Sequence, residues 1–251
     1  MSGHSKWSTI KRQKAKTDAA RGAVFTKLSR EIILAAKVGG GDPTGNFRLR
    51  TAIEKARSSG MPQDNIKRAV AKGSGGGEGT EFDEIRYEGY GPGGVAVMVE
   101  AQTDNRNRTA ADIRSAFSKN GGNLGETGCV GWMFTEKGQI LISNEDGEFG
   151  EDDLMLVAVE AGADDLINQG ESYEILTPPE QLEEVQNALS KAGYPIESAD
   201  LAFVPSNNVE VTDPEIAKKL LKMVDALEEL DDVKNVWSNS DFADGILEAL
   251  A

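Results

Sequence analysis

Apolar residues in the first part of the chain recur every three to four positions. Val24, Phe25, Leu28, Ile32 and the Ala35-Ala36 pair keep helical spacing, and Gly39-Gly40-Gly41 ends the pattern. A second helix is predicted from about Asn46 to Ser58, with Phe47, Leu49, Ile53 and Ala56 turned inward. Gly60-Met61-Pro62 opens a third, in which Pro62 suits the first turn and Ile66, Ala69 and Val70 pack inward. Three short helices form a small bundle. Residues 1–17 have almost no apolar periodicity and read as an extended or partly helical arm.

Five glycines in the seven residues 73–79 cannot hold a helix or strand, so this segment reads as a flexible linker or turn. Beyond it the period falls to two. Ile85-Arg86-Tyr87-Glu88 and Val95–Glu100 read as strands joined through a glycine-rich turn. A helix is expected from about Thr109 to Lys119, with Thr109 and Asp112 at capping-box spacing. Then come a strand at Gln139–Ile142, a helix at about 152–161, strands near Asp165–Ile167 and Tyr173–Leu176, a helix at Glu180–Lys191 and a strand at Ala202–Val204. That order, β-α-β-β-α-β, is the ferredoxin-like pattern. A helix at Pro214–Leu230 and a strand near Val233–Trp237 have no sheet of their own, and would complete the β-β-α begun before residue 131. The predicted architecture is α+β and multidomain: an N-terminal helical bundle plus two ferredoxin-like α+β domains, the third inserted into the second. The expected boundaries are 1–72 for the arm and bundle and 73–79 for the linker, then 80–131 with 204–251 for the discontinuous domain and 132–203 for the insert.

Charge sharpens the division. The 251 residues carry 42 acidic and 27 basic side chains, a net charge of -15. Up to Lys72, however, 16 basic residues stand against 5 acidic, a net +11, while the remaining 11 basic and 37 acidic residues leave -26. The whole-chain balance argues against a polyanionic partner; the divided balance describes a basic module on an acidic body. At physiological ionic strength charges more than ~8 Å apart are heavily screened, so acidic domains held away from the arm would repel a polyanion little. No apolar run approaches the ~18 residues of a spanning helix, so no membrane partner is expected. The single cysteine, Cys129, excludes an intramolecular disulfide and fits a reducing compartment.

Most chemistry-bearing patterns yield to plainer readings. Gly89-x-Gly91-x-x-Gly94 matches the dinucleotide fingerprint, but strand follows strand and Pro92 interrupts it, which points to a hairpin loop. Cys129 lacks a histidine partner, because the only histidine is His4 in the polar arm, and reads as a small buried residue. The pairs Asp152/Asp153, Asp164/Asp165, Glu183/Glu184, Glu228/Glu229 and Asp231/Asp232 fall mostly at helix starts or on solvated faces. No calcium-loop, HxxE or CxxC spacing is present. No catalytic residue, cofactor or resident metal is expected. Arg106 and Arg108 precede a helix start and offer a secondary anion site, against the plainer reading of surface arginines tied to nearby acid.

The arm carries the strongest signal. Lys6-Trp7 followed by Lys11, Arg12, Lys14 and Lys16 supplies phosphate-directed charge and one aromatic that can stack on a base or pack on the bundle. Arg21, Lys27 and Arg30 extend the basic pattern into the first helix. A solubilising tail and an organellar transit peptide are the competing readings, since the first 17 residues contain no acid. The unbroken run of basic residues into the helices favours nucleic acid.

Taken together, Met1–Trp7, Gly60-Met61-Pro62-x-x-Asn65-Ile66, Arg86–Gly94, Thr103–Thr109, Gly121–Gly125 and Gly131-Trp132-Met133-Phe134 resemble the YebC/PmpR family along essentially the whole chain. One departure is Cys129, where that family would be expected to carry serine. The resemblance implies three domains with the third inserted in the second, and a non-enzymatic cytoplasmic protein or a mitochondrial relative. It implies a probable DNA-binding transcriptional regulator, with a ribosome-associated translation factor acting at proline-rich stretches as the alternative. The expected partner is therefore nucleic acid, DNA or ribosomal RNA, through the basic N-terminal region. A third reading makes the acidic domains a protein-interaction scaffold. Oligomeric state is not legible.

Overall fold

The structure is a computed structural model that describes residues 18–75, 81–144, 146–243 and 245–247. Three helices come first: α1 (Asp18–Gly39), α2 (Phe47–Ser58) and α3 (Gln63–Gly73). Asn46 caps α2, its side chain accepting from Leu49 N at 3.1 Å and donating to Ala35 O and Gly40 O at 2.8 Å. One asparagine thus satisfies the start of α2 and the end of α1. Pro62 stands just before α3, where its missing N–H costs nothing. Leu28, Ile32, Leu49, Ile53 and Ile66 form the core of this bundle, at the spacing the sequence predicts.

Next come β1 (Asp83–Tyr90), β2 (Ala96–Thr103), α4 (Arg106–Lys119) and the two-residue β3 (Asn123–Leu124). The chain then builds β4 (Phe134–Ser143), α5 (Glu151–Glu160), β5 (Asp165–Asn168), β6 (Ser172–Thr177), α6 (Leu182–Lys191) and β7 (Ile196–Pro205). It returns through β8 (Val209–Val211), α7 (Pro214–Glu228), β9 (Val233–Ser238) and β10 (Ser240–Phe242). The first sheet has the order β3-β1-β2-β9 and the second β5-β6-β4-β7, all neighbours antiparallel; β8 and β10 form a separate parallel pair. The strands of the second sheet thus all fall between β3 and β8 in the chain, and β9 rejoins β2 in the first.

Strand β2 is apolar on both faces because both are covered. Val97, Val99 and Ala101 pack under α4 and α7 with Ile113, Phe117, Leu220 and Met223. Ala96 and Met98 face the other way, against Val130, Phe134, Phe203 and Trp237, which joins the two sheets. The turn between β1 and β2 lies against α7: a Cβ at Gly91 would sit 2.8 Å from Leu220 Cδ1 and Met223 Cε. The Gly89–Gly94 fingerprint is therefore a hairpin connection with strand on both sides. It offers no helix N-terminus to a pyrophosphate.

Helix α4 starts one turn earlier than its sequence suggests. Asn105 caps it, accepting from Arg108 N at 3.1 Å. Thr109 is an interior, buried residue whose hydroxyl donates to Asp232 at 2.7 Å. Asparagine is a better cap than threonine, and Thr109 has a stronger acceptor inside the fold.

Candidate nucleic-acid interface

On α1, Lys27, Arg30 and Glu31 stand three and four residues apart, so they share a face. That face meets the acidic body. Lys27 Nζ donates to Glu228 O at 2.5 Å. Arg30 donates to Asp231 O at 2.6 Å and pairs with the Asp232 carboxylate at 2.8 Å. Its guanidinium lies 5.4 Å from the Phe82 ring centroid. Glu31 accepts from Arg48 at 2.7 Å and from the Gln102 amide at 2.5 Å, and pairs with Lys234 at 3.1 Å. Arg48 reaches on to Glu84 at 2.5 Å. Toward the second sheet, Arg50 pairs with Glu183 and Lys55 with Asp200 at 2.9 Å. The body therefore does not stand at a distance from the bundle; much of the bundle's positive charge is matched by acid across a direct contact.

The environments follow. Burial pushes the Glu31 carboxyl up, but Arg48, Lys234 and Gln102 outweigh it and hold the group at about 2. At Asp232, burial likewise acts upward, while hydrogen bonds from Arg108 and Thr109 and the charge of Arg30 bring the carboxyl below its ordinary range.

The predicted site residues consequently separate. Lys6, Trp7, Lys11, Arg12, Lys14 and Lys16 lie outside the described residues, and Arg21 lies within α1 with its side chain outside them. Lys27 and Arg30 are turned onto the body, where they seat the bundle. Arg106 pairs with Asp83 at 2.8 Å; Arg108 pairs with Asp104 and Asp232, each at 2.8 Å. These last two follow the plainer expectation: the approach to the α4 N-terminus is capped by Asn105, and its arginines are matched by acid.

Sequence reasoning passed over the cations that remain on exposed faces of the bundle, namely Arg57, Lys67, Arg68 and Lys72. Among the described residues Arg57 and Lys67 have no acidic partner. Arg68 donates to the Asn65 side chain and to Asp64 O, and Lys72 lies 5.9 Å from the Phe82 ring centroid. The signal was available in the α3 pattern, since Ile66 and Ala69 are buried and Lys67, Arg68 and Lys72 point elsewhere.

Other chemistry is spoken for. Burial and the neighbouring Glu88 carboxylate push the half-buried Cys129 thiol up, the opposite of what a nucleophile needs. No group of three or more metal-ligating side chains occurs among the described residues. No helix among them is long and apolar enough to cross a membrane.

Comparison with known proteins gives two matching family models, the TACO1/YebC protein N-terminal domain over residues 5–76 and the TACO1/YebC second and third domain over residues 82–240. A protein of Desulfitobacterium hafniense named probable transcriptional regulatory protein is 58% identical over 248 residues, covering 99% of this chain and 98% of its own. One of the same name from Trichormus variabilis is 55% identical over 250 residues, with 98% of each chain covered. The crystal structure of a conserved hypothetical protein from Aquifex aeolicus superposes with a TM-score of 0.85 at 50% identity, covering 92% of this chain and 95% of its own.

Proposed function

Because this chain belongs to the TACO1/YebC family, we propose that it is a non-enzymatic regulator of gene expression that binds nucleic acid through the phosphate backbone. The relatives' name, probable transcriptional regulatory protein, favours DNA as the target. The observation that carries the reading is the distribution of charge. The body matches Arg30, Lys37, Arg48, Arg50 and Lys55 with acid, yet Arg57 and Lys67 stay exposed without it. Ahead of them the sequence adds Lys6, Lys11, Arg12, Lys14 and Lys16 in a stretch with no acidic residue. In this reading the arm and the exposed side of α3 supply cations to phosphates, Trp7 stacks or anchors, and Lys27 and Arg30 hold the basic module on its body.

Binding of this kind is salt-dependent, because each neutralised phosphate releases condensed counterion. About six such contacts would cost on the order of 10³-fold in affinity between 50 and 200 mM salt. The test is fluorescence anisotropy on duplex DNA across that range. Replacing Lys11, Arg12, Lys14 and Lys16 together with alanine should weaken binding and flatten the log–log salt slope by roughly 3 to 4. Unchanged affinity and slope in that variant would overturn the assignment. A defined promoter footprint at physiological salt supports the DNA target, whereas RNase-sensitive co-sedimentation with ribosomes would replace it with RNA.

A further inference from the structure

Strand β1 ends in a second feature that the arm does not use. Glu88 is 7% exposed, and its carboxylate accepts three backbone N–H groups of the following glycine-rich loop: Gly128 at 2.9 Å, Val130 at 2.8 Å and Gly131 at 2.6 Å. Burial acts to raise this carboxyl, but the three donors bring it below its ordinary range, so it stays charged and holds the loop. Gly125 N donates to Glu88 O at 2.8 Å, tying the other end of the loop to the same residue. Gly131 leaves room for the carboxylate, since a Cβ there would lie 3.0 Å from Glu88 Oε1.

Two aromatic side chains lie on the loop so fixed: Tyr90 from the end of β1 and Trp132 from the loop's own C-terminal turn. Trp132 is 72% exposed and Tyr90 37% exposed. The Trp132 indole N–H donates to Cys129 O at 3.2 Å, and the Tyr90 hydroxyl donates to the same oxygen at 3.3 Å. Both polar ends are therefore engaged internally, and what faces outward is ring surface. Neither ring pairs with another aromatic ring among the described residues. The neighbouring loop residues 125–128 are glycine, glutamate, threonine and glycine, all exposed. That is not the contiguous apolar surround of a protein docking patch, whose centre is fully desolvated. Arg86 lies on the same face of β1 as Tyr90, exposed, with its guanidinium 4.4 Å from the Phe203 ring centroid. It offers a phosphate-directed cation on that face of the strand, with the Glu88 carboxylate, on which its charge acts, and Glu126 on the loop as opposing charges.

We infer that Trp132 and Tyr90, held by the Glu88-pinned loop, form a stacking site for an unpaired nucleobase of a single-stranded nucleic acid, with Arg86 toward its phosphate. This deepens the nucleic-acid reading above and rests on it: the arm grips backbone, whereas this site takes bases and discriminates single strand from duplex. Stacking is tolerant of base identity, because each base has a π-face and the donors of both aromatics are already engaged by Cys129 O.

The test uses the full chain and two single-stranded RNA probes of about a dozen nucleotides. One carries adenine throughout; the other is its abasic counterpart with the same number of phosphates. The Trp132→Ala variant should bind the adenine strand roughly 5- to 100-fold more weakly and the abasic strand as well as the unmodified protein does. Trp132→Phe should recover most of the loss, and an unchanged thermal midpoint in both variants keeps the comparison one of folded proteins. Equal binding of adenine strand by Trp132→Ala and unmodified protein overturns the site, as does an equal loss on both probes. The alanine-substituted arm separates this from the wider reading. If that variant binds both probes normally while Trp132→Ala still loses the adenine strand, the arm assignment fails and the base site stands. If the unmodified protein binds neither probe, the base site falls, while the arm assignment is decided by the duplex measurement above.

Discussion

Asp232 gathers Arg30 from the bundle, Arg108 and Thr109 from α4, and Thr103 at the end of β2. Removing one member of a buried charge pair leaves the others desolvated and unmatched. Asp232→Ala should therefore destabilise the protein by about 3 kcal/mol, measured by urea denaturation, with Arg108 contributing little because it is half-exposed. A result near zero would show that water replaces the carboxylate. Glu31 sets the acid limit. A folded carboxyl held at about 2 against an ordinary value of 4.5 contributes stability that is complete above about pH 4.5 and is lost as the pH falls toward 2. Glu84, Glu88 and Asp232 are lowered in the same sense. The thermal midpoint should be level between about pH 5 and 7 and fall below about pH 4, and Glu31→Gln should make that fall shallower. None of these partners was legible in the sequence. Asp231/Asp232 reads as one more solvated acidic pair, because nothing in a linear pattern announces that an arginine some 200 positions earlier will meet it.

At the scale of elements, the sequence was legible wherever an element was long enough to show its period. The three helices of the bundle, the β1–β2 hairpin, α4 to α7 and most of the strands were expected in the order found. The misses have physical causes. Strands β3, β8 and β10 are two or three residues long, too short for an alternation, and are strands only because a neighbour supplies their ladder. The start of α4 was displaced because Thr109 fits a capping pattern, while the cap that forms is Asn105. Asn105→Ala should accordingly cost about 1 kcal/mol. Thr109→Val should cost more than a surface change, since it strands the Asp232 hydrogen bond inside the fold. Phe117, fully buried on the inner face of α4, anchors that helix to the sheet, and its replacement by alanine should cost about 3 to 5 kcal/mol. No loss on Asn105→Ala in thermal melts would contradict the assignment of the cap.

Over the whole molecule, the division into a +11 segment and a -26 remainder was correct as arithmetic and incomplete as physics. It suggested two ends kept apart, whereas Arg30–Asp232, Arg48–Glu84, Arg50–Glu183 and Lys55–Asp200 bring them together. Complementary charge seats the bundle on both sheets, and the cations left outside this contact become the candidates for phosphate. The charge asymmetry of the chain was thus legible in its sequence, but which bundle cations stay exposed depends on tertiary contacts. In the proposed function this remaining charge, together with that of the arm, grips the nucleic-acid backbone. That reading is tested most directly by the salt dependence of duplex binding in the unmodified protein and in the variant with Lys11, Arg12, Lys14 and Lys16 changed to alanine. Weaker binding and a slope shallower by roughly 3 to 4 are expected in the variant; identical affinity and slope in the two proteins would rule out phosphate contacts by these four residues.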